Sequence, residues 1–156
     1  MNFPAKKISF DQALKKAQHY CAYQERSHAE LKTKLYSYGL FTAEVNEILA
    51  LLIQDNFLNE QRFAEAFVSG KFKIKHWGRT KIIAHLKQKG VSDYCIKKGL
   101  CEIDEELYQQ TLTKLMAKKL ASSTNPTDFS TKQKVANYLI MKGYEYSLVF
   151  DTLKLT

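Results

Sequence analysis

Three times in this chain an apolar residue is followed four positions later by leucine and four after that by glycine. The sets are Leu31, Leu35 and Gly39; Ile82, Leu86 and Gly90; and Val135, Leu139 and Gly143, so the glycines fall 51 and 53 positions apart. The register continues beyond each glycine, with Val45, Ile96 and Val149 six residues on and Leu49, Leu100 and Leu153 ten on. One structural unit has been copied three times.

Four-residue apolar spacing lines one face of an α-helix, and a glycine just past the last periodic position suits the left-handed turn that closes one. The second apolar pair starts another helix. A longer helix precedes each pair: one capped by Ser9-x-x-Gln12 with Leu14, Ala17 and Cys21 inward; one capped by Asn59 with Phe63, Ala66, Phe67 and Ile74 inward; one from Asp104 through Leu107, Leu112, Leu115, Met116 and Leu120. Ser27-x-x-Glu30 has the spacing of a capping box, and Thr42 and Ser92 are placed to cap the helices after the turns. No segment alternates apolar and polar residues over a strand's length. The expectation is all-α: three tandem three-helix repeats, helix-turn-helix-like, forming an elongated, curved solenoid. An N-terminal tail would occupy 1–8, and the repeats 9–53, 54–103 and 104–156.

A chain of 156 residues, 45% hydrophobic and 26% charged, is long enough and apolar enough to bury a core. No apolar run approaches the roughly 20 residues of a bilayer span, and Met1 to Phe10 has no signal-peptide core, so a cytoplasmic location without a membrane partner is expected. Cys21, Cys95 and Cys101 are widely separated and are expected to be buried thiols. Ala121 to Phe129, with Pro126, is the clearest loop.

The net charge is +8, and its placement is uneven. Residues 1–65 hold eight basic and eight acidic side chains, and 93–156 hold nine and eight. The 27 residues between carry seven cations and no carboxylate: Lys71, Lys73, Lys75, Arg79, Lys81, Lys87 and Lys89. Trp77, His76 and His85 are interleaved with them, and such a mixture of cations and stackable rings fits phosphate, bases or an acidic protein groove. The candidate DNA- and partner-binding set is therefore Lys71, Lys73, Lys75, Trp77, Arg79, Lys81, Lys87 and Lys89, gathered by the turn His76-Trp77-Gly78-Arg79 to one edge.

Catalytic patterns are missing. There is no glycine-rich phosphate loop, no Gly-x-Ser-x-Gly elbow and no His-Glu-x-x-His pair, and Cys95 and Cys101 lack histidines at ligand spacing. The expectation is a non-enzymatic protein with no catalytic residues, no metal, no cofactor and no small-molecule substrate. A stand-alone helix-turn-helix DNA-binding protein is the alternative that glycine-turned helix pairs leave open.

One segment is more specific than the repeats. Asp55 to Val68, DNFLNEQRFAEAFV, resembles the hallmark of the RecX family of bacterial recombination regulators: an acidic residue, an aromatic-Leu pair, a capping residue, then Arg-Phe-Ala-x-x-Phe-Val. Trp77-Gly78-Arg79-x-Lys81-Ile82, continuing to Leu86 and Lys89-Gly90-Val91, is similar to that family's middle unit, and Ser27-x-x-Glu30-Leu31-x-x-Lys34-Leu35 extends the likeness upstream. It covers Ala13 to Leu100; Lys132 to Leu153 keeps the apolar and glycine positions but few family-specific side chains. Asn59 and Glu60 stand where two acidic residues are common, and Gly70 interrupts the long helix, where it is expected to loosen or bend it. The resemblance implies a regulator that binds the RecA recombinase filament on single- or double-stranded DNA and mainly restrains its ATPase, strand-exchange and co-protease activities in recombination, repair and the SOS response. Phe57, Leu58, Phe63 and Phe67 are expected in the core, with Arg62 pairing with Asp55.

Overall fold

The computed structural model describes residues 7–154, and among these it contains nine helices and no strand. They are α1 (Phe10–Tyr23), α2 (His28–Ser37), α3 (Thr42–Gln54), α4 (Glu60–Lys73), α5 (Arg79–Gln88), α6 (Asp93–Leu100), α7 (Glu105–Ala121), α8 (Phe129–Lys142) and α9 (Tyr146–Leu153).

Local chemistry sets most of the boundaries. Ser9 and Gln12 cap α1 reciprocally, and Ser27 and Glu30 do the same for α2, each side chain accepting the other's backbone N–H. Asn59, Ser92 and Asp104 accept the N–H of Arg62, Cys95 and Leu107 at 2.8, 3.3 and 2.8 Å. Each such cap is worth about 1 kcal/mol. Thr42 differs from expectation: the N-cap of α3 is Phe41, whose N–H donates to Glu44 at 3.2 Å, while the Thr42 hydroxyl accepts from Tyr36 at 3.2 Å.

The repeated glycines close α2, α5 and α8, with φ of 82° at Gly39, 77° at Gly90 and 110° at Gly143. At the last two the chain folds back so that Val91 N–H donates to the Leu86 carbonyl and Tyr144 N–H to that of Leu139, both at 3.1 Å. The leucine of the repeat therefore has two duties: its side chain is fully buried and its carbonyl accepts the closing hydrogen bond.

The two joints between helical triplets are unlike. Helices α1–α3, with Leu58, enclose one apolar core, centred on Ala13, Ala17, Leu31, Leu35, Val45, Ile48 and Leu52. Helices α4–α9 share a second, in which Phe72, Tyr108 and Tyr144 stack in series with ring centroids 5.7 and 5.1 Å apart. Between α1–α3 and the rest the contacts are polar: Arg62 meets Glu25 at 2.5 Å and Lys89 meets Glu30 at 2.8 Å.

Several side chains depart from the sequence expectation. Arg62 pairs with Glu25 and hydrogen-bonds Asn56 at 3.2 Å instead of pairing with Asp55, because Asn56 adopts a left-handed φ of 64° and turns the chain after α3. Leu58 and Phe63 are buried, while Phe57 and Phe67 are only partly covered. Ala66 is exposed, and Leu107 is 40% exposed, flanking the buried stripe of Tyr108, Leu112 and Met116. Ile74 is 74% exposed since α4 stops at Lys73. Cys101 is exposed; Cys21 and Cys95 are buried. α4 runs unbroken through Gly70.

Candidate nucleic-acid and partner interface

The site is built by the turn between α4 and α5. His76 takes a left-handed φ of 58°, and the chain doubles back so that Trp77 N–H donates to the Lys71 carbonyl at 3.1 Å. The indole is thereby laid over the last turns of α4. Lys71 Nζ lies 4.9 Å from the indole centroid, Lys81 Nζ 4.4 Å, and the His85 ring 4.6 Å. Lys71 also lies 5.5 Å from the Phe67 ring. His85 and Lys89, four residues apart at the end of α5, face the first triplet, whereas Lys81 starts beside Gly143 of the third and reaches over the indole.

Lys71, Trp77, His85 and Lys89 form one wall of a groove of about 550 Å³ between the first and second triplets. Phe63, Ala66 and Phe67 supply its apolar surface, and Gln24, Glu25 and Glu30 come from the facing triplet. Two ammonium groups held beside one indole concentrate positive charge at the edge of the groove, with Glu25 and Glu30 on its other wall. Lys75 joins Lys71, Phe67 and Ile74 on a shallow extension of the same side. It stands in the turn, beyond the end of α4.

The predicted set divides. Lys71, Trp77 and Lys89 line the groove, with Lys81 reaching the Trp77 ring from beside Gly143 and Lys75 on the shallow extension, though Lys89 is already paired with Glu30. Lys73 is two residues from Lys71 and faces α7, and Lys87 occupies a different flank of α5 from Lys81 and His85. Arg79 turns inward. As the first residue of α5 it bonds Glu105 and Glu145, the latter at 2.9 Å, and its guanidinium covers the Tyr108 ring at 3.8 Å. Burial alone would lower its proton affinity, and the two carboxylates more than offset that, so the guanidinium is held charged inside the fold. The cations thus do not form one continuous ledge.

Sequence reasoning did not reach Phe67 and Ala66 on the groove wall, or Glu25 and Glu30 across it. Glu30 carried a signal of structure only, as half of a capping box; in the fold one oxygen caps α2 while the other holds Lys89. Among the described residues no three His, Cys, Asp or Glu side chains gather where they could hold a metal ion, and no helix is long and apolar enough to cross a membrane.

An all-helical protein of three-helix units, with a cation-and-indole groove at a joint between them, belongs to the helical-repeat class. Comparison narrows this. The family model for the second three-helix domain of RecX matches residues 59–100, and that for its third three-helix domain matches 105–153. The chain belongs to the RecX family. It is 28% identical to the Regulatory protein RecX of Amycolatopsis mediterranei over 97% of this chain and 89% of that protein. Identity is 29% to the protein of the same name in Lactococcus lactis, over 94% of this chain but only 56% of that relative's length. The crystal structure of RecX from Lactobacillus salivarius superposes with a TM-score of 0.83 at 22% identity, covering 93% of this chain and 94% of that one. A second crystal structure of a regulatory protein RecX gives 0.82 at 25%, over 93% and 71%. The family likeness extends through the third triplet, beyond the Leu100 limit of the sequence motifs.

Proposed function

We propose that this protein regulates the RecA recombinase by binding its filament on DNA in the cytoplasm, mainly restraining ATP hydrolysis, strand exchange and co-protease activity, without chemistry of its own. The observation that carries this reading is Trp77, which lines the groove between the first two triplets and has Lys71, Lys81 and His85 gathered on its ring. Lysines beside a ring suit a phosphate backbone with unstacked bases, and binding that depends on them releases counterions from the DNA. Membership of a family whose curated relatives are named regulatory proteins supports the regulatory role.

The test is RecA-driven strand exchange and DNA-dependent ATP hydrolysis with the protein titrated in. Wild type is expected to inhibit both, and the double charge reversal Lys71→Glu with Lys81→Glu to lose inhibition at least roughly tenfold in concentration. Full inhibition by the charge-reversed protein would move the contact elsewhere, and no inhibition by wild type would end the proposal. If these two lysines each meet one phosphate of single-stranded DNA, their reversal also lowers the slope of log affinity against log salt by about 1.4.

A further inference from the structure

A second groove lies on another flank of α4, between its last turn and α7. Leu107 and Leu115 contribute the accessible apolar surface over the buried Phe72 ring, Lys73 and His76 stand on one wall and Lys114 and Lys118 on the other, around a volume of about 420 Å³. That is within the range of roughly 300–1,000 Å³ typical of ligand sites. Because Lys71 and Lys73 are two residues apart on a helix, with buried Phe72 between them, they serve different grooves. Lys114 and Lys118 are one turn apart and share a face of α7.

Charge and hydropathy are both uncompensated here. Among the described residues none of the three lysines lies within 4.0 Å of a carboxylate, and no carboxylate lines the groove. Leu107 leaves 40% of its surface open beside them. Lysine is a compact point charge that meets carboxylates at variable angles, and an aliphatic strip between lysines matches a segment with apolar side chains on one face and acidic ones at its edges.

We propose that the groove between α4 and α7 is a docking site for an acidic, amphipathic peptide segment of a partner protein, separate from the Trp77 groove. The apolar side chains of the segment pack on Leu107 and Leu115, and its carboxylates meet Lys73, Lys114 and Lys118. Nucleic acid fits less well. Bases need exposed rings to stack on, and here His76 alone offers one, the Phe72 ring being buried; a trench between packed helices admits side chains but not a duplex.

The experiment uses the full chain and fluorescence anisotropy with three labelled probes: a helical peptide with leucines at i, i+3, i+4 and i+7 flanked by glutamates, a polyglutamate of equal length, and an oligothymidylate. The leucine–glutamate peptide is expected to bind and polyglutamate to bind much more weakly. Lys114→Glu with Lys118→Glu, and separately Leu107→Asp, are expected to weaken the peptide at least roughly tenfold and leave oligothymidylate unchanged. All three positions are exposed, so the fold is retained, and circular dichroism checks it. Failure of the peptide to bind, equal binding of polyglutamate, or undiminished peptide binding by either variant overturns the proposal. Loss of oligothymidylate binding in either variant does so too, since it makes nucleic acid the occupant.

Discussion

Gly78 and Gly143 meet backbone to backbone. Gly78 N–H donates to the Lys142 carbonyl at 3.0 Å, and Thr80 N–H donates to the carbonyl of Gly143 itself at 2.9 Å. The last carbonyls of α8 therefore satisfy free donors at the start of α5, and the negative end of one helix faces the positive end of the other. This contact joins the second and third triplets beside the turn that carries Trp77.

The approach leaves no room for a side chain. A Cβ on Gly78 would lie 2.3 Å from the carbonyl carbon and oxygen of Gly143, and those backbone atoms cannot move aside by changing rotamer. Gly78 has an ordinary φ of −79°, so the constraint is steric. Gly78→Ala is expected to cost roughly 2–4 kcal/mol. At Gly90 a Cβ meets nothing within 4 Å, and only its left-handed φ is strained, so Gly90→Ala should cost about 1 kcal/mol. Urea unfolding midpoints rank the two; equal losses would mean that the joint between α5 and α8 yields.

Arg79 separates structure from binding within the basic segment. Its side chain is 18% exposed and neutralises Glu145, so Arg79→Ala is expected to destabilise the fold by about 2 kcal/mol, reduced from the fully buried case because Glu105 and Glu145 reach solvent. Lys71→Ala, in the groove, should change stability by less than about 0.5 kcal/mol. Thermal unfolding of the pair measures this, and a neutral Arg79→Ala would return that residue to the list of surface cations.

The repeats were legible because Leu35, Leu86 and Leu139 each combine core packing with the turn that a glycine four residues on completes, and both demands act locally. The unlike joints were not. Nothing near Gly78 in sequence reports that Gly143 will touch it, and Glu25 reads as an ordinary polar residue and Glu30 only as half of a capping box until α4 and α5 are set against them. The cation run was visible, but its division was not: Lys71, Lys73 and Arg79 look alike in composition, and only helix phase and the distant carboxylates of Glu105 in α7 and Glu145 before α9 send them to different places.

Gly70 lies inside α4, where the helix is continuous and a Cβ would meet nothing within 4 Å. Replacing it by alanine removes backbone freedom from the unfolded chain without straining the folded one. Gly70→Ala should stabilise by roughly 0.5–1 kcal/mol in chemical denaturation. A loss of stability would show that α4 needs the freedom of glycine to present Lys71.

Tyr108 and Tyr144 give the fold an alkaline limit. Burial raises the proton affinity of both phenols, with the Glu145 carboxylate adding to it, so both stay neutral in the folded state well above the usual tyrosine range. Below about pH 10 both folded and unfolded chains hold these protons, and the contribution to stability is constant. Above it the unfolded chain releases them and the folded one does not, so stability falls as pH rises. Of the nine tyrosines, these two should form phenolate only on unfolding, seen as a step in near-ultraviolet absorbance that coincides with loss of helical circular dichroism. Smooth ionisation of all nine while the helices persist would contradict it.

The joint between the first two triplets should respond to salt where the other does not. It is bridged by Arg62–Glu25 and Lys89–Glu30, each side chain about a third exposed, while the apolar cores on either side remain separate. Glu25 Oε2 is buried at this joint without a hydrogen-bond partner, which weakens it further. At about 1 M salt the Debye length falls to roughly 3 Å and such pairs lose most of their attraction, whereas the second joint, where the Arg79 pairs sit on a shared apolar core with Phe72, Tyr108 and Tyr144, keeps its burial. Small-angle scattering is expected to show the radius of gyration rising with salt while circular dichroism stays constant, as α1–α3 swings away and the Trp77 groove widens. Lys89→Gln should produce part of that rise at low salt, since it removes one bridge and leaves the Ser27–Glu30 cap intact. A radius independent of salt and of Lys89 would mean that the groove is rigid and its width fixed before any partner arrives.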